Sequence, residues 1–421
     1  MNHELTISTR GIQMPESPIR KLAPLAYKAE DEGVKIYRLN IGQPDLPTPQ
    51  KALDALKDVD RKTLEYSPSQ GYRSLRKALV NYYERYQIKL SADDIIITCG
   101  GSEAVLFAFM SCLNPGDEII VPEPAYANYM SFAISAGAVI RTVTTTIEEG
   151  FCLPKVEKFE ELINERTKAI LICNPNNPTG YLYTQREMNQ IRDLVKKYNL
   201  YLFSDEVYRE FIYTGSPYIS AMHLEGIEQN VILIDSVSKR YSECGIRIGA
   251  LITKNEAVRK TVMKFCQARL SPPLIGQIIA EASIEGTEAY SREVYEEYLE
   301  RRKCLIDGVN RIPGCYTPIP MGAFYTVAKL PLDDAEKFCA WCLSDFRWKD
   351  EMTPQTTHFS GQELECTGET IMMAPATGFY TTPGSGINQV RLAYVLCKED
   401  IQRSLFLLKK AIEQYNYISK Q

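Results

Sequence analysis

Histidine is scarce in this chain. His3, His223 and His358 are the only three in 421 residues, so a histidine-rich metal centre or a histidine-based triad is hard to assemble. No apolar run reaches the ~18 residues that a membrane-spanning helix needs. The opening stretch MNHELTISTR has no apolar core region, so no signal peptide is expected. A basic excess is also missing: the net charge is −5, which disfavours nucleic acid and anionic membranes as partners. No G-x-G-x-x-G follows a strand-like run, which argues against a dinucleotide cofactor. Cysteines number twelve, yet Cys339 and Cys342 form the only C-x-x-C, inside the helix-periodic stretch DAEKFCAWCLSDF. Without a second pair or a nearby histidine they read as small apolar residues on a helix, and no metal is expected. Scattered cysteines without a secretion signal suit a reducing compartment, the cytoplasm.

What is present is the composition of an ordinary globular protein. Hydrophobic residues make up 45% and charged residues 24%, enough to bury a sizeable core across about two or three domains. From about residue 94 strands alternate with helices: DIIITCGG, DEIIVPEP, AVIRTV, AILICNP, LYLFSDE, VILIDS and IGALIT supply the strands. Several are unbroken apolar runs, the pattern of strands covered on both faces. The expected fold is α/β: a large domain with a mostly parallel, mixed sheet flanked by helices, plus a smaller α+β domain. We place an N-terminal segment at 1–45 that contributes to the small domain, the large cofactor-binding domain at 46–290 and the small domain at 291–421.

Ligands of open α/β sheets bind beyond the carboxyl ends of the strands. Here those ends carry an unusual set of residues. Gly101 and Ser102 follow one strand and open a helix, a ready anion site. Tyr126 follows the next. NPNNPTG, with Asn177, follows a third. SDEVY, with Asp205 and Tyr208, follows a fourth. SVSKRYSECGIRIG, with Ser236, Ser238, Lys239 and Arg247, follows a fifth. Taken singly, each has a plain structural explanation as a turn, a helix cap or a solvated charge. Their convergence on one sheet edge is what calls for a ligand.

That ligand needs an anionic group for the helix N-terminus, Ser236, Ser238 and Arg247. It needs a cationic atom opposite Asp205, a ring oxygen for Tyr208 and Asn177, and a flat ring to lie against Tyr126. An electrophile is required for the amine of Lys239. Pyridoxal 5'-phosphate has all five.

The chain resembles the class I and II aminotransferases, which are fold type I pyridoxal-phosphate enzymes of the aspartate aminotransferase type. The likeness runs over nearly its whole length, in NIGQPDLPTP, YSPSQGYRSLRKAL, NPNNPTG, SDEVY, SVSKRYSECGIRIG, MGAFYTV and NQVRLAYV. The resemblance implies that Lys239 carries the cofactor, Asp205 pairs with its ring nitrogen, and Tyr208 and Asn177 contact its ring oxygen. Ser236, Ser238, Arg247, Gly101 and Ser102 would bind its phosphate, and Tyr126 would stack on its ring. Tyr66 looks like the tyrosine that such enzymes lend to the phosphate of a neighbouring subunit, which implies a homodimer with its active sites at the subunit interface. Arg391 looks like the clamp for the substrate α-carboxylate, with Gly42 and Asn177 lining the same pocket. Gly245-Ile246 departs from the Gly-Trp that many relatives carry before the arginine.

The implied reaction moves an amino group between an L-amino acid and a 2-oxo acid such as 2-oxoglutarate, in two ping-pong halves. Aspartate or a similar donor is favoured, because Arg269 lies where a cation could hold a distal carboxylate; Arg20 is a second candidate. The alternatives are a carbon–sulfur β-lyase on the same cofactor and an aminotransferase for alanine or aromatic amino acids. A ligand-sensing transcriptional regulator is disfavoured, since the ~45 residues before IGQPD are too few and too little basic for a DNA-binding domain. Residues 346–370 are polar and long for a connection, and read as a lid or a surface insertion.

Overall fold

The computed structural model of the chain describes residues 5–215, 217–285 and 288–419; His3 and the first residues of the opening stretch lie outside these. A seven-stranded sheet forms the centre. Its strands are β1 (Ile95–Thr98), β2 (Glu118–Glu123), β3 (Val139–Thr144), β4 (Thr167–Cys173), β5 (Tyr201–Asp205), β6 (Val231–Ser236) and β7 (Gly249–Ile252). They lie side by side in the order β1-β7-β6-β5-β4-β2-β3. All neighbours pair in parallel except β7, which runs antiparallel to both β1 and β6. The reversal matters, because the start of β7 therefore lies at the same edge as the ends of the other strands.

Burial follows from the sequence pattern. Every residue of β1, β2, β6 and β7 is buried, as expected for apolar strands covered on both sides. Strand β3, RTVT at its end, is largely exposed on alternate residues and occupies the sheet edge, where polar and charged side chains discourage further pairing. Helices Gly100–Cys112, Gln185–Tyr198 and Glu256–Arg269 cover the sheet.

The remaining strands build smaller sheets. Val34–Arg38, near the N-terminus, pairs in parallel with Gly368–Met372. Tyr325–Lys329, Gln389–Ala393 and Ala374–Pro375 form an antiparallel set of three. The polar stretch 346–370 contains a hairpin, Thr356–Phe359 against Gln362–Glu365, with Phe359 beside Tyr27 at 6.1 Å between ring centroids. Arg403 ties this stretch down by bonding Asp350 and Glu369. Cys339 and Cys342 are buried on helix Ala335–Ser344.

Candidate active site

A cavity of about 760 Å³ opens beyond the carboxyl edge of the sheet. Its walls include Gly42, Gly101, Ser102, Tyr126, Asn177, Asp205, Tyr208, Ser236, Ser238, Lys239, Arg247 and Arg391. Arg20 lines it as well, so thirteen of the fifteen residues singled out in the sequence share one space.

Lys239 sits on the one-turn helix Val237–Arg240, directly after β6. Ser236 caps that turn by accepting from the Ser238 N–H at 3.2 Å. The next side chain, Arg240, is drawn into the interior by Asp235, which leaves Lys239 facing the cavity. Its Nζ donates to the Gly42 carbonyl at 2.8 Å, with the Cys244 thiol 3.8 Å away.

Asp205 ends β5 and is 7% exposed. The Tyr129 hydroxyl donates to it at 2.6 Å. Burial pushes its carboxyl up to about 6, although the Tyr129 and Val207 hydrogen bonds act in the opposite direction. A cation placed opposite would restore the ionised form.

Asn177 joins two parts of the site. Its amide donates to the Tyr208 hydroxyl at 3.4 Å, and its carbonyl oxygen accepts from Arg391 at 3.1 Å. Tyr208 in turn meets the Tyr325 hydroxyl at 3.1 Å. Arg391 is only 1% exposed. It also donates to the Asn40 carbonyl and lies between the rings of Tyr325 and Phe379, 4.6 and 5.0 Å away. Its Nε has no hydrogen-bond partner among the described residues. No carboxylate there reaches ion-pair distance, so burial lowers its affinity for the proton.

The anion-binding end is built on helix Gly100–Cys112. Gly100 has φ +77° and lies so close to Arg247 that a β-carbon would overlap the guanidinium. Arg247, itself left-handed at φ 58°, comes from just before antiparallel β7 and arrives at the same helix N-terminus. Together with Ser102, Ser236 and Ser238 it surrounds a space suited to a phosphate. On the opposite wall Tyr126 accepts from the Asn128 amide at 2.8 Å, and burial pushes its phenol up to about 12.

Tyr66 and Arg269 lie outside this cavity. Tyr66 is 76% exposed. Arg269 is engaged by Glu103 at 3.2 Å and by the Ser69 carbonyl at 3.2 Å, so within this chain it does not face the space beside Lys239. Sequence reading also passed over Tyr129, Tyr325 and Cys244, all of which line the cavity. Tyr129 stands one helical turn after Tyr126, and that spacing was the available signal. Tyr325 lies in MGAFYTV, one of the stretches that carry the resemblance, but its contacts join segments far apart in the chain.

The class I and II aminotransferase family is matched over residues 34–347. An aspartate aminotransferase from Pyrococcus horikoshii is 30% identical over 419 residues, covering 97% of either chain. Among solved structures, the aspartate aminotransferase of Thermotoga maritima superposes with a TM-score of 0.84 at 27% identity, over 97% of this chain and all of that one. The alanine aminotransferase of Pyrococcus furiosus does so with a TM-score of 0.84 at 28% identity and the same coverage. The chain therefore belongs to the class I and II aminotransferases and is a transaminase of fold type I.

Proposed function

We propose that this transaminase uses pyridoxal 5'-phosphate, held by Lys239, to exchange the amino group of aspartate or a similar L-amino acid with a 2-oxo acid such as 2-oxoglutarate. One observation carries the reading. Arg391 is a fully buried guanidinium without a carboxylate partner among the described residues, and it opens into the same cavity as Lys239 and Asp205. A buried, uncompensated cation is costly unless an anion arrives to meet it. A substrate carboxylate is such an anion.

The residues present fit the cofactor. Ser102, Ser236, Ser238, Arg247 and the helix N-terminus at Gly101 would take its phosphate. Asp205 would hold the proton of its ring nitrogen, Tyr208 and Asn177 its ring oxygen, and Tyr126 the face of the ring. When bound, the cofactor supplies an aldehyde for amines and an electron-withdrawing ring. Lys239 Nζ then serves to take the substrate Cα proton and return it. Arg391 clamps the α-carboxylate, and Gly42 leaves room for that clamp.

A homodimer belongs to the same reading. Leu64, Tyr66 and Leu270 are 67%, 76% and 50% exposed. Their segments are fastened to each other, Ser67 to the Pro272 carbonyl and Arg269 to the Ser69 carbonyl, so the apolar residues are presented from one anchored region. The occupant that suits them is a second copy, with Tyr66 reaching the neighbour's phosphate site. The chain divides into 1–45, 46–290 and 291–421, the first attached to the third through Val34–Arg38 and Gly368–Met372. All twelve cysteines are free thiols, in keeping with the cytoplasm.

The test is direct. The purified protein with pyridoxal phosphate should show the absorbance band of a lysine-bound cofactor, and an amino-acid panel should discharge it while 2-oxoglutarate restores it. Lys239→Ala should abolish the band. Survival of that band in the variant would remove Lys239 from its role, and turnover without consumption of a 2-oxo acid would indicate elimination instead.

A further inference from the structure

We propose that Arg20 is the residue that reads the distal carboxylate of a dicarboxylic substrate in this cavity, making the chain selective for acidic amino acids through a cation of its own N-terminal segment. This inference rests on the transaminase reading of the same site.

Two guanidiniums line the cavity wall near Tyr126, and they differ in how they are held. Arg391 is buried and fixed. Arg20 lines the same cavity but is exposed. No carboxylate lies within ion-pair distance of it among the described residues, whereas its neighbour Lys21 is paired with Glu336 at 2.6 Å. Both Arg20 and Arg391 act electrostatically on the Tyr126 phenol, lowering a proton affinity that burial raises. Both cations and Tyr126 line the one cavity. An α-carboxylate on Arg391 leaves Arg20 available for a second anionic group on the same small molecule.

Arg20 is also positioned. It closes a tight turn, its N–H donating to the Ser17 carbonyl at 3.0 Å. Pro18, in that turn, is buried and packs so closely on Gly378 that a β-carbon there would overlap it. Asn40 is 1% exposed and binds both arginine-bearing segments. Its amide donates to the Ile19 carbonyl at 2.9 Å, and its own carbonyl accepts from Arg391. A single buried residue thus sets the turn carrying Arg20 in register with the α-carboxylate clamp. Arg269, the other candidate, already spends its charge on Glu103.

The experiment compares aspartate and alanine half-reactions in the cofactor-loaded enzyme, for wild type, Arg20→Ala, Arg20→Lys and Arg269→Ala. Arg20→Ala should lower kcat/KM for aspartate by about 10- to 100-fold, the loss of a charge-assisted contact, and leave alanine within about twofold. Arg20→Lys should lie between, and succinate should inhibit Arg20→Ala correspondingly less. Parallel changes for both amino acids, no change, or a shift of the ratio only in Arg269→Ala would overturn the assignment. A wild type that uses alanine and ignores aspartate would do the same while leaving the transaminase reading intact. Absence of amino-acid-dependent turnover in the wild type would instead defeat the transaminase reading itself.

Discussion

The phenol of Tyr325 fills the space that a β-carbon on Gly42 would need. The same glycine's carbonyl receives the Lys239 amine at 2.8 Å. Tyr325 meanwhile supports Arg391 from below at 4.6 Å and touches Tyr208 at 3.1 Å. One glycine therefore connects the amine, the carboxylate clamp and the phenol network through close packing alone.

Gly42→Ala should consequently impair catalysis more than folding. The added methyl must displace Tyr325 from Arg391 or shift the carbonyl away from Lys239. The expected loss in kcat/KM is about 10²-fold, the cost of misplacing groups by an ångström. Adding Tyr325→Phe should not rescue it, because the ring carbon bearing the hydroxyl also falls within overlap distance. Wild-type kinetics in Gly42→Ala would show that this packing does not hold the site.

Arg391→Lys tests the clamp. A lysine keeps the charge and loses the planar fork that grips a carboxylate with two parallel bonds. We expect kcat/KM to fall by about 10²-fold for aspartate and alanine alike, because every amino acid carries the α-carboxylate. A loss confined to aspartate would assign Arg391 to the distal group instead.

The contrast between those residues shows what a sequence makes legible. Asp205, Asn177, Lys239 and Ser102 follow strand ends, and parallel strands bring their ends to one edge whatever the details of packing. Their meeting could be read in advance. Arg247 reaches that edge for another reason, since it precedes the one reversed strand of the sheet. The Tyr129–Asp205 bond, the Tyr325–Gly42 contact and the Asn40 bridge join positions distant in sequence, and no local pattern encodes such contacts. Charge pattern alone also could not tell Arg20 from Arg269, since the difference is the presence of Glu103 beside one of them.

Asp235→Asn should be a stability mutation. Burial by itself would raise this carboxyl, yet Arg240 and Arg209 hold it down at about 2. The Tyr83 hydroxyl donates to it at 2.7 Å, and Arg209 lies 3.8 Å away. Removing its charge leaves the buried Arg240 without its carboxylate partner, while Arg209 keeps Glu206 at 3.0 Å. Breaking such an arrangement costs about 3–5 kcal/mol, visible as a lower urea midpoint. Cofactor binding should weaken too, because Asp235 anchors Arg240 and so sets the direction of Lys239. An unchanged midpoint would mean that Arg240 finds another partner.

Glu243→Gln should change how stability depends on pH. Glu243 is 3% exposed, accepts a hydrogen bond from Ser283, and has one oxygen without a partner among the described residues. Burial pushes its carboxyl from 4.5 up to about 8, and the Ser283 bond and Arg240 only partly oppose this. The folded chain therefore holds this proton more tightly than the unfolded chain. Its contribution is complete below pH 4.5 and is lost as pH rises through about 8. Glutamine keeps a neutral side chain of similar shape at every pH. Relative to wild type, the variant should gain about 2–3 kcal/mol of unfolding free energy between pH 6 and pH 9, measured by urea titration at each pH. A difference that stays constant across that range would mean the carboxyl is already ionised in the folded protein, with Arg240 outweighing burial.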